Sequence, residues 1–194
     1  MANRSRGLGP AGTGTIYGGR MRQREVRTLA PIAEAPEVGR WLSAMQDGRR
    51  DTLRELEDVS EDMIDVRPAR GENSIGTALY HVALIEADWL LDDIFGVPLS
   101  ESELAPWFPL ADRDSGGQLT DVTGESLAVH RRRLAAVRED LIERLSPMSV
   151  DDFHTPRARE RYDVSPAWVV HHLLQHESEH RAEIGWVKRH VASG

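Results

Sequence analysis

The chain contains no cysteine and no long run of apolar residues. The absence of cysteine excludes a disulfide framework, a thiolate metal site and a cysteine nucleophile. A membrane-spanning helix needs roughly 18 to 20 consecutive apolar residues, and no segment of the sequence approaches this length. The first residues also lack the apolar stretch and the cleavage site of a secretory signal. We therefore expect a cytoplasmic protein with no membrane partner.

Positive charge is also scarce, and the formal net charge of the chain is -8. The charge is unevenly distributed along the chain: residues 1–30 carry a net charge of +5 and residues 31–194 a net charge of -13. A duplex-binding groove needs clustered cations to neutralise phosphates, so the acidic body predicts no nucleic-acid partner. The basic, Gly-rich residues 1–30 are interpreted as a flexible extension, and residues 31–194 as one domain. As an alternative, the extension and the arginine run 131–133 bind nucleic acid or a partner protein.

Four segments have the apolar periodicity of helices, and none has the alternation typical of a strand. Ser74 is a favoured residue type for the N-cap of the second segment, which Gly96 ends. Ser165 followed by Pro166 marks the start of the fourth. The long connection 97–120 is typical of a crossover, so the pattern predicts an all-α four-helix bundle with long crossover connections. The predicted helices cover about 37–58, 74–95, 121–145 and 165–190.

Three histidines form a candidate metal site. His176 and His180 lie four residues apart on the fourth helix, about 40° from each other, so both can point into the bundle. His81 is the one histidine of the second helix, and its neighbours are apolar. Neutral imidazoles are good ligands for zinc, nickel, iron and copper, and three of them leave positions open for water or substrate. The pattern predicts one divalent metal ion on these residues; the alternative is a set of hydrogen-bonded core histidines.

The other histidines are interpreted from their helical positions. His172 lies about 40° from His176 around the helix, so it is either a fourth ligand or a residue behind the ligands. His171 diverges by about 100° from His172 and is interpreted as structural. The remaining three are interpreted as surface or loop residues: His130, His154 and His190.

Residues 176–180 also match the H-E-x-x-H pattern of zinc proteases, in which Glu177 would serve as the general base. Residues 181–186 lack the glycine and histidine of the extended protease motif, which disfavours a peptidase. Glu177 and His180 likewise match half of a di-iron bundle motif, but the second helix has no matching E-x-x-H.

The order of these motifs resembles the DinB superfamily of DinB/YfiT-like metalloenzymes. The motifs that carry the resemblance are SIGTALYH at residues 74–81 and HLLQHESEHR at residues 172–181. The resemblance spans roughly residues 35–190. One departure is Glu179, where relatives often have another histidine.

This resemblance implies a four-helix bundle that holds a nickel or zinc ion on His81, His176 and His180, often as a homodimer. Members with known activity are mainly transferases that use a low-molecular-weight thiol, together with a mycothiol-dependent maleylpyruvate isomerase. The resemblance therefore implies thiol-dependent or hydrolase-like chemistry on a small-molecule substrate. The alternative is a non-catalytic metal-binding or stress-response bundle.

Helical geometry also selects candidates for catalysis and substrate binding. Asp88 lies seven residues after His81, and Glu183 lies seven after His176, so each shares a helix face with a predicted ligand. Either carboxylate could transfer protons, or could orient a histidine N–H instead. Arg181 is a candidate for holding an anionic substrate or a thiol cofactor, with a surface ion pair as the alternative.

Overall fold

The computed structural model of the chain describes residues 26–69 and 72–191, and helices dominate this part of the chain. The basic extension predicted for residues 1–30 lies almost entirely outside the described residues. No helix in the described ranges is long and apolar enough to cross a membrane. The helices are α1 (Pro36–Glu55), α2 (Ile75–Asp88), α3 (Leu127–Leu145), α4 (Val150–His154) and α5 (Pro166–Val191), and the strands are β1 (Arg157–Ala158) and β2 (Asp163–Val164).

Four long helices, α1, α2, α3 and α5, form the bundle, which confirms the predicted all-α fold. Helix α2 packs against both α3 and α5, and every residue from Ile75 to Leu84 is buried. A helix that is apolar on all sides is stable only in such a central position. Ser74 caps this helix as predicted, since its hydroxyl accepts the Thr77 N–H at 3.1 Å.

Helix α2 continues past Asp88 as the π-helical turn Trp89–Phe95, which periodicity alone does not predict. Gly96 ends this turn with a φ of 68°. Glycine adopts this left-handed conformation without the steric penalty of a Cβ atom, which makes it a common helix terminator. The predicted extent of the second helix is thus confirmed, although its last turns are widened.

Two parts of the secondary-structure prediction are wrong. Helix α3 begins at Leu127 instead of 121, because Ser126 is its N-cap and Gly124 has a φ of 77°. The segment before α5 also contains a small antiparallel hairpin, in which Arg157 pairs with Val164. Strands of two residues are too short to show an alternating pattern in the sequence.

The long crossover connection is held against α2 by Tyr80. The Tyr80 hydroxyl donates to the Leu110 carbonyl at 2.7 Å and accepts from the Leu110 N–H at 2.9 Å. The Phe108 ring meets the Tyr80 ring edge-on, with their centroids 5.6 Å apart. These contacts hold the connection against α2, so that the two residues after Leu110, the second of which is Asp112, lie over the face of this helix.

A network of four charged side chains crosses the centre of the bundle. Arg49 donates to Glu86 and to Glu177, each at 2.7 Å. Arg138 donates to Glu86 at 2.6 Å and to Glu177 at 2.9 Å. No member is more than 5% exposed, so the two guanidinium groups and two carboxylates neutralise each other away from water. Each residue comes from a different bundle helix, and the network therefore ties all four together.

Candidate metal centre

Helices α2 and α5 bring the three histidines of the sequence motif together. The Nε2 atoms of His81 and His176 are 3.1 Å apart. The ring centroid of His180 is 4.9 Å from that of His81 and 4.6 Å from that of His176. One ring nitrogen from each residue lies within 4.8 Å of those of the other two, an arrangement that could hold a metal ion.

Carboxylates lie behind two of the three rings. The Nδ1 atom of His81 is 2.6 Å from an oxygen of Asp112, and the Nδ1 atom of His180 is 2.7 Å from an oxygen of Glu183. The other oxygen of Glu183 accepts from the Asn73 amide at 2.9 Å. An Nδ1–H donated to a carboxylate leaves the Nε2 lone pair free to face the centre. These contacts select the tautomer that a metal ligand requires.

The surroundings of two of the three rings favour the neutral imidazole. Burial, followed by the proximity of His180 and His81, lowers the pKa of His176 to about 3. Burial also lowers the pKa of His81, against the opposing effect of Asp112. Imidazole binds a metal ion only in its neutral form, so these rings need not lose protons at neutral pH before binding.

The separation between the first two rings fits a shared ion. Two nitrogens that each lie about 2.0 to 2.1 Å from one zinc ion are about 3.3 to 3.4 Å apart at the ideal tetrahedral angle, and about 3.1 Å apart when the angle closes to about 100°. The distance between the Nε2 atoms of His81 and His176 is 3.1 Å. A hydrogen bond between these two imidazoles would also explain that distance. It would not explain why the His180 ring, backed by its own carboxylate, joins them.

The predicted catalytic candidates occupy different environments. Glu183 contacts His180, whereas the described contacts of Asp88 include none to the three histidines. Asp88 is half-buried, and burial, with the nearby charges of Asp92, Asp93 and Asp112, raises the pKa of its carboxyl. Asp88 therefore lies in an acidic environment at the end of α2.

Arg181 points towards α1. Its guanidinium donates to the Gly48 carbonyl at 3.3 Å and to the Ser178 hydroxyl at 3.1 Å. These contacts hold the side chain between the α1 backbone and its own helix.

Glu177 is directed away from the histidines and into the charged network of the bundle centre. Burial would raise the pKa of its carboxyl, but the charges of Arg49 and Arg138 outweigh burial and lower it. A carboxylate held by two guanidinium groups has no freedom to accept a proton beside the histidine cluster. Glu177 therefore matches the H-E-x-x-H motif in sequence but does not have the position of a protease general base.

The remaining histidines lie outside the cluster. His172 packs between the Trp89 and Trp168 rings, with centroid distances of 4.5 and 5.1 Å, and is 6.1 Å from His176. The surface assignment of His130 is wrong, since this residue is 1% exposed beneath the crossover connection. The surface assignments of the other two are confirmed: His154 and His190 are exposed, as is His171.

Sequence reasoning missed Asp112. This residue lies in the irregular crossover connection, 31 positions from His81, and no periodic pattern relates the two. Its approach to His81 depends on the Tyr80 contacts that dock the connection on α2. Glu183, by contrast, lies three residues from His180 on the same helix, and helical geometry alone brings those two together.

Comparisons with known proteins agree with this architecture. A search of curated proteins gave no significant match. Among solved structures, the chain is similar to a conserved protein from Enterococcus faecalis, with a TM-score of 0.64 and 13% sequence identity. That alignment covers 79% of this chain and 96% of the other, and at this identity it supports the fold alone. The sequence profile of the DinB superfamily matches residues 44–184, most of the chain, and the chain belongs to this superfamily.

Proposed function

We propose that this chain is a metal-dependent enzyme in which His81, His176 and His180 hold one nickel or zinc ion. We further propose that it acts on a small molecule by thiol-dependent transferase or isomerase chemistry, or by related hydrolase-like chemistry. The observation that carries the metal assignment is the convergence of three imidazoles, two of them backed by carboxylates. Three protein ligands are typical of catalytic sites, because they leave a position for water or substrate.

Such an ion, when bound, lowers the pKa of a thiol or water molecule and presents it as a nucleophile. The chain's own residues would hold and orient the ligands. Asp112 and Glu183 accept the Nδ1–H groups of His81 and His180, which keeps both Nε2 lone pairs directed at the centre. Because Glu183 also accepts from Asn73, its role in this proposal is to position His180.

Asp88 is the stronger of the two candidates for moving a proton. Its carboxyl is half-buried, and its pKa is raised, first by burial and then by neighbouring carboxylates. A raised pKa makes a carboxylate a stronger base, which suits it to accept a proton. Arg181 remains a candidate for binding an anionic group, for which its Gly48 and Ser178 contacts would have to open. The homodimer stays a prediction that sedimentation velocity would test.

The first experiment is metal analysis of the purified full-length chain and of His176→Ala. We expect close to one transition-metal ion per chain in the unaltered protein and less than about a tenth of that in the variant, since two imidazoles rarely retain an ion that three hold. His171→Ala is the matched control, because His171 lies on the same helix but is exposed and packs against Trp41. Equal metal content in His176→Ala and His171→Ala would overturn the ligand assignment.

The second experiment tests catalysis. Metal-loaded protein is incubated with a low-molecular-weight thiol and an electrophile, and thiol consumption is followed for the unaltered chain and for His176→Ala. Turnover that disappears with the metal supports the enzyme. A chain that binds the ion fully and consumes none of a panel of thiols would favour the non-catalytic metal-binding bundle.

A further inference from the structure

Aromatic residues make up only 6% of the chain, yet several gather beside the candidate metal centre. The Trp89 ring lies 6.2 Å from the Tyr162 ring and 5.5 Å from the Trp168 ring, measured between centroids. Trp168 stacks on His172 at 5.1 Å with an interplanar angle of 13°. His172 is in turn 6.1 Å from His176. A continuous row of rings therefore leads from the surface to a predicted metal ligand.

The rings of Trp89, Tyr162 and Trp168 line a cleft of about 520 Å³ between the π-helical turn, the β hairpin and the start of α5. Trp168 is 49% exposed and Tyr162 is 46% exposed, which is high for large aromatic side chains. One face of Trp168 is covered by His172, and about half of the residue remains open to solvent. Exposed aromatic surface that lines a cavity is typical of a ligand-binding site.

The cleft is also acidic. Asp163 lines it, and Asp92 and Asp93 of the π-helical turn lie behind Tyr162, close enough for their charges to act on its ring. Burial, then the hydrogen bond to Asp93 and the charges of Asp93, Asp92 and Asp88, raises the pKa of Tyr162 to about 12. The Tyr162 hydroxyl donates to Asp93 at 2.8 Å. Negative charge is thus directed at the ring that lines the cleft.

Positive groups near the cleft offset only part of this charge. Arg159 donates to the Asp93 carbonyl at 2.9 Å and lies 3.9 Å from its carboxylate. The start of α5 adds a partial positive charge of about half a unit, and Ser165 already accepts the Trp168 N–H there. One guanidinium and half a charge do not balance the three carboxylates of Asp92, Asp93 and Asp163. Among the other charges of the hairpin, Arg157 pairs with Asp152, and Glu160 and Arg161 are of opposite sign. The cleft therefore favours a cation over an anion.

We propose that this cleft binds the alkylammonium group of a small molecule, with the cation against the Trp168 and Tyr162 rings. Aromatic faces attract cations, most strongly tryptophan, and the surrounding carboxylates add a longer-range attraction. The π-helical turn supports the assignment, because such turns occur frequently at functional sites and this one supplies Trp89 as well as two of the carboxylates.

A further step rests on the proposed function: the molecule that binds in the cleft would also be the substrate of the metal-dependent enzyme. The row of rings passes His172 and ends at His176, so a molecule with its ammonium group in the cleft would extend its reactive end towards the histidines. The substrate class would then be a small amine or quaternary ammonium compound with a reactive group several bonds from the nitrogen.

The test compares two probes of nearly equal shape, choline and its neutral counterpart 3,3-dimethylbutan-1-ol. Binding to the full-length protein is measured by calorimetry and by tryptophan fluorescence. We expect choline to bind at least about tenfold more tightly than the neutral alcohol, given the usual strength of a cation–π contact. Trp168→Leu should weaken choline binding by about tenfold, and Asp92→Asn by a smaller factor with no effect on the alcohol. Trp41→Phe, on the side of α5 that carries His171, is the control.

Equal affinity for the two probes, or no binding of choline, would overturn the proposal. So would a loss in Trp41→Phe as large as that in Trp168→Leu. If Trp168→Leu fails to fold, the probe pair on the unaltered chain and Asp92→Asn still decide the outcome, since Asp92 is exposed. Choline binding and metal content are also measured together. An unaltered chain that binds choline but holds no metal would count only against the metal proposal, and one that holds its metal but does not bind choline would count only against the cleft. In His176→Ala, both proposals expect loss of the metal with retained choline binding.

Discussion

Two buried polar clusters lie on the same helices, and they differ in how their polar atoms are satisfied. In the charged network, Glu86 and Glu177 accept from Arg49 and Arg138, and both guanidinium groups also donate to backbone carbonyls. In the histidine cluster, carboxylates bind the Nδ1 atoms of two rings, and within the described part of the chain the ring nitrogens of His81 and His176 that face one another have no donor other than each other. The first cluster is closed, and the second leaves lone pairs directed at a common point.

The difference is sharpest between His176 and Glu177, which are adjacent on α5 and point in different directions from it. A cluster whose charges are fully paired stabilises one arrangement of the helices and has nothing left to bind a ligand. A cluster with unpaired lone pairs gains less for folding but is available to a cation. We infer that the same helix turn contributes to stability on one face and to chemistry on the other.

The largest expected effect is the loss of stability when one carboxylate is removed from the charged network. Glu177→Ala leaves Arg49 and Arg138 with one carboxylate between them, and removing one partner of a buried ion pair typically costs about 3 to 5 kcal/mol. The free energy of unfolding, measured in urea, should fall by that amount. Glu179→Ala is the matched control, because Glu179 is exposed two residues away and a surface change costs about 0.5 kcal/mol or less. Equal effects of the two substitutions would contradict a structural role for the network.

A third buried cluster, formed by Arg133 and His130, has one ring nitrogen that is hydrogen-bonded and one that is not. Its contribution to the free energy of unfolding should depend on pH. Arg133 donates to His130 Nδ1 at 3.1 Å, so the ring proton is on Nε2, which has no hydrogen-bond partner among the described residues. The nearest carboxylate oxygen, of Glu125, is 3.8 Å away. Burial, followed by the charge of Arg133, lowers the pKa of His130 from 6.5 to about 4.

Because the folded-state pKa lies below the unfolded value, the folded chain binds fewer protons between these two pH values. The free energy of unfolding should therefore fall as the pH is lowered from about 6.5 to about 4, and His130 should account for roughly 3 kcal/mol of the loss. His130→Gln keeps an acceptor for Arg133 but does not titrate, so its loss over the same range should be smaller by about that amount. Identical pH profiles for the two proteins would refute this explanation.

The smallest expected effect concerns the affinity of the histidine cluster for a metal ion. Asp112→Asn removes the charge that orients His81 but keeps a group of the same shape, and such substitutions behind metal ligands typically reduce metal affinity about 10- to 100-fold. Competition with a chelator measures the affinity. Asp114→Asn, two residues away on the exposed turn, is the control and should leave it unchanged. A loss in Asp112→Asn no larger than in the control would place this carboxylate outside the site.

The sequence by itself determined the helices and the candidate ligands. Apolar periodicity and the Ser74 and Ser165 signals are local, and helical geometry brings residues three or four apart onto one face whatever the rest of the chain does. For this reason His176, His180 and Glu183 could be related to one another from spacing alone.

Only the tertiary structure decided which distant groups meet those residues. Asp112 reaches His81 because Tyr80 docks an irregular connection, and Glu177 faces away because Arg49 and Arg138 arrive from two other helices. The small hairpin and the widened end of α2 likewise depend on packing between segments that are far apart in the chain. Contacts of this kind carry no periodic signal, because they are selected by the free energy of the whole fold and not by neighbouring residues.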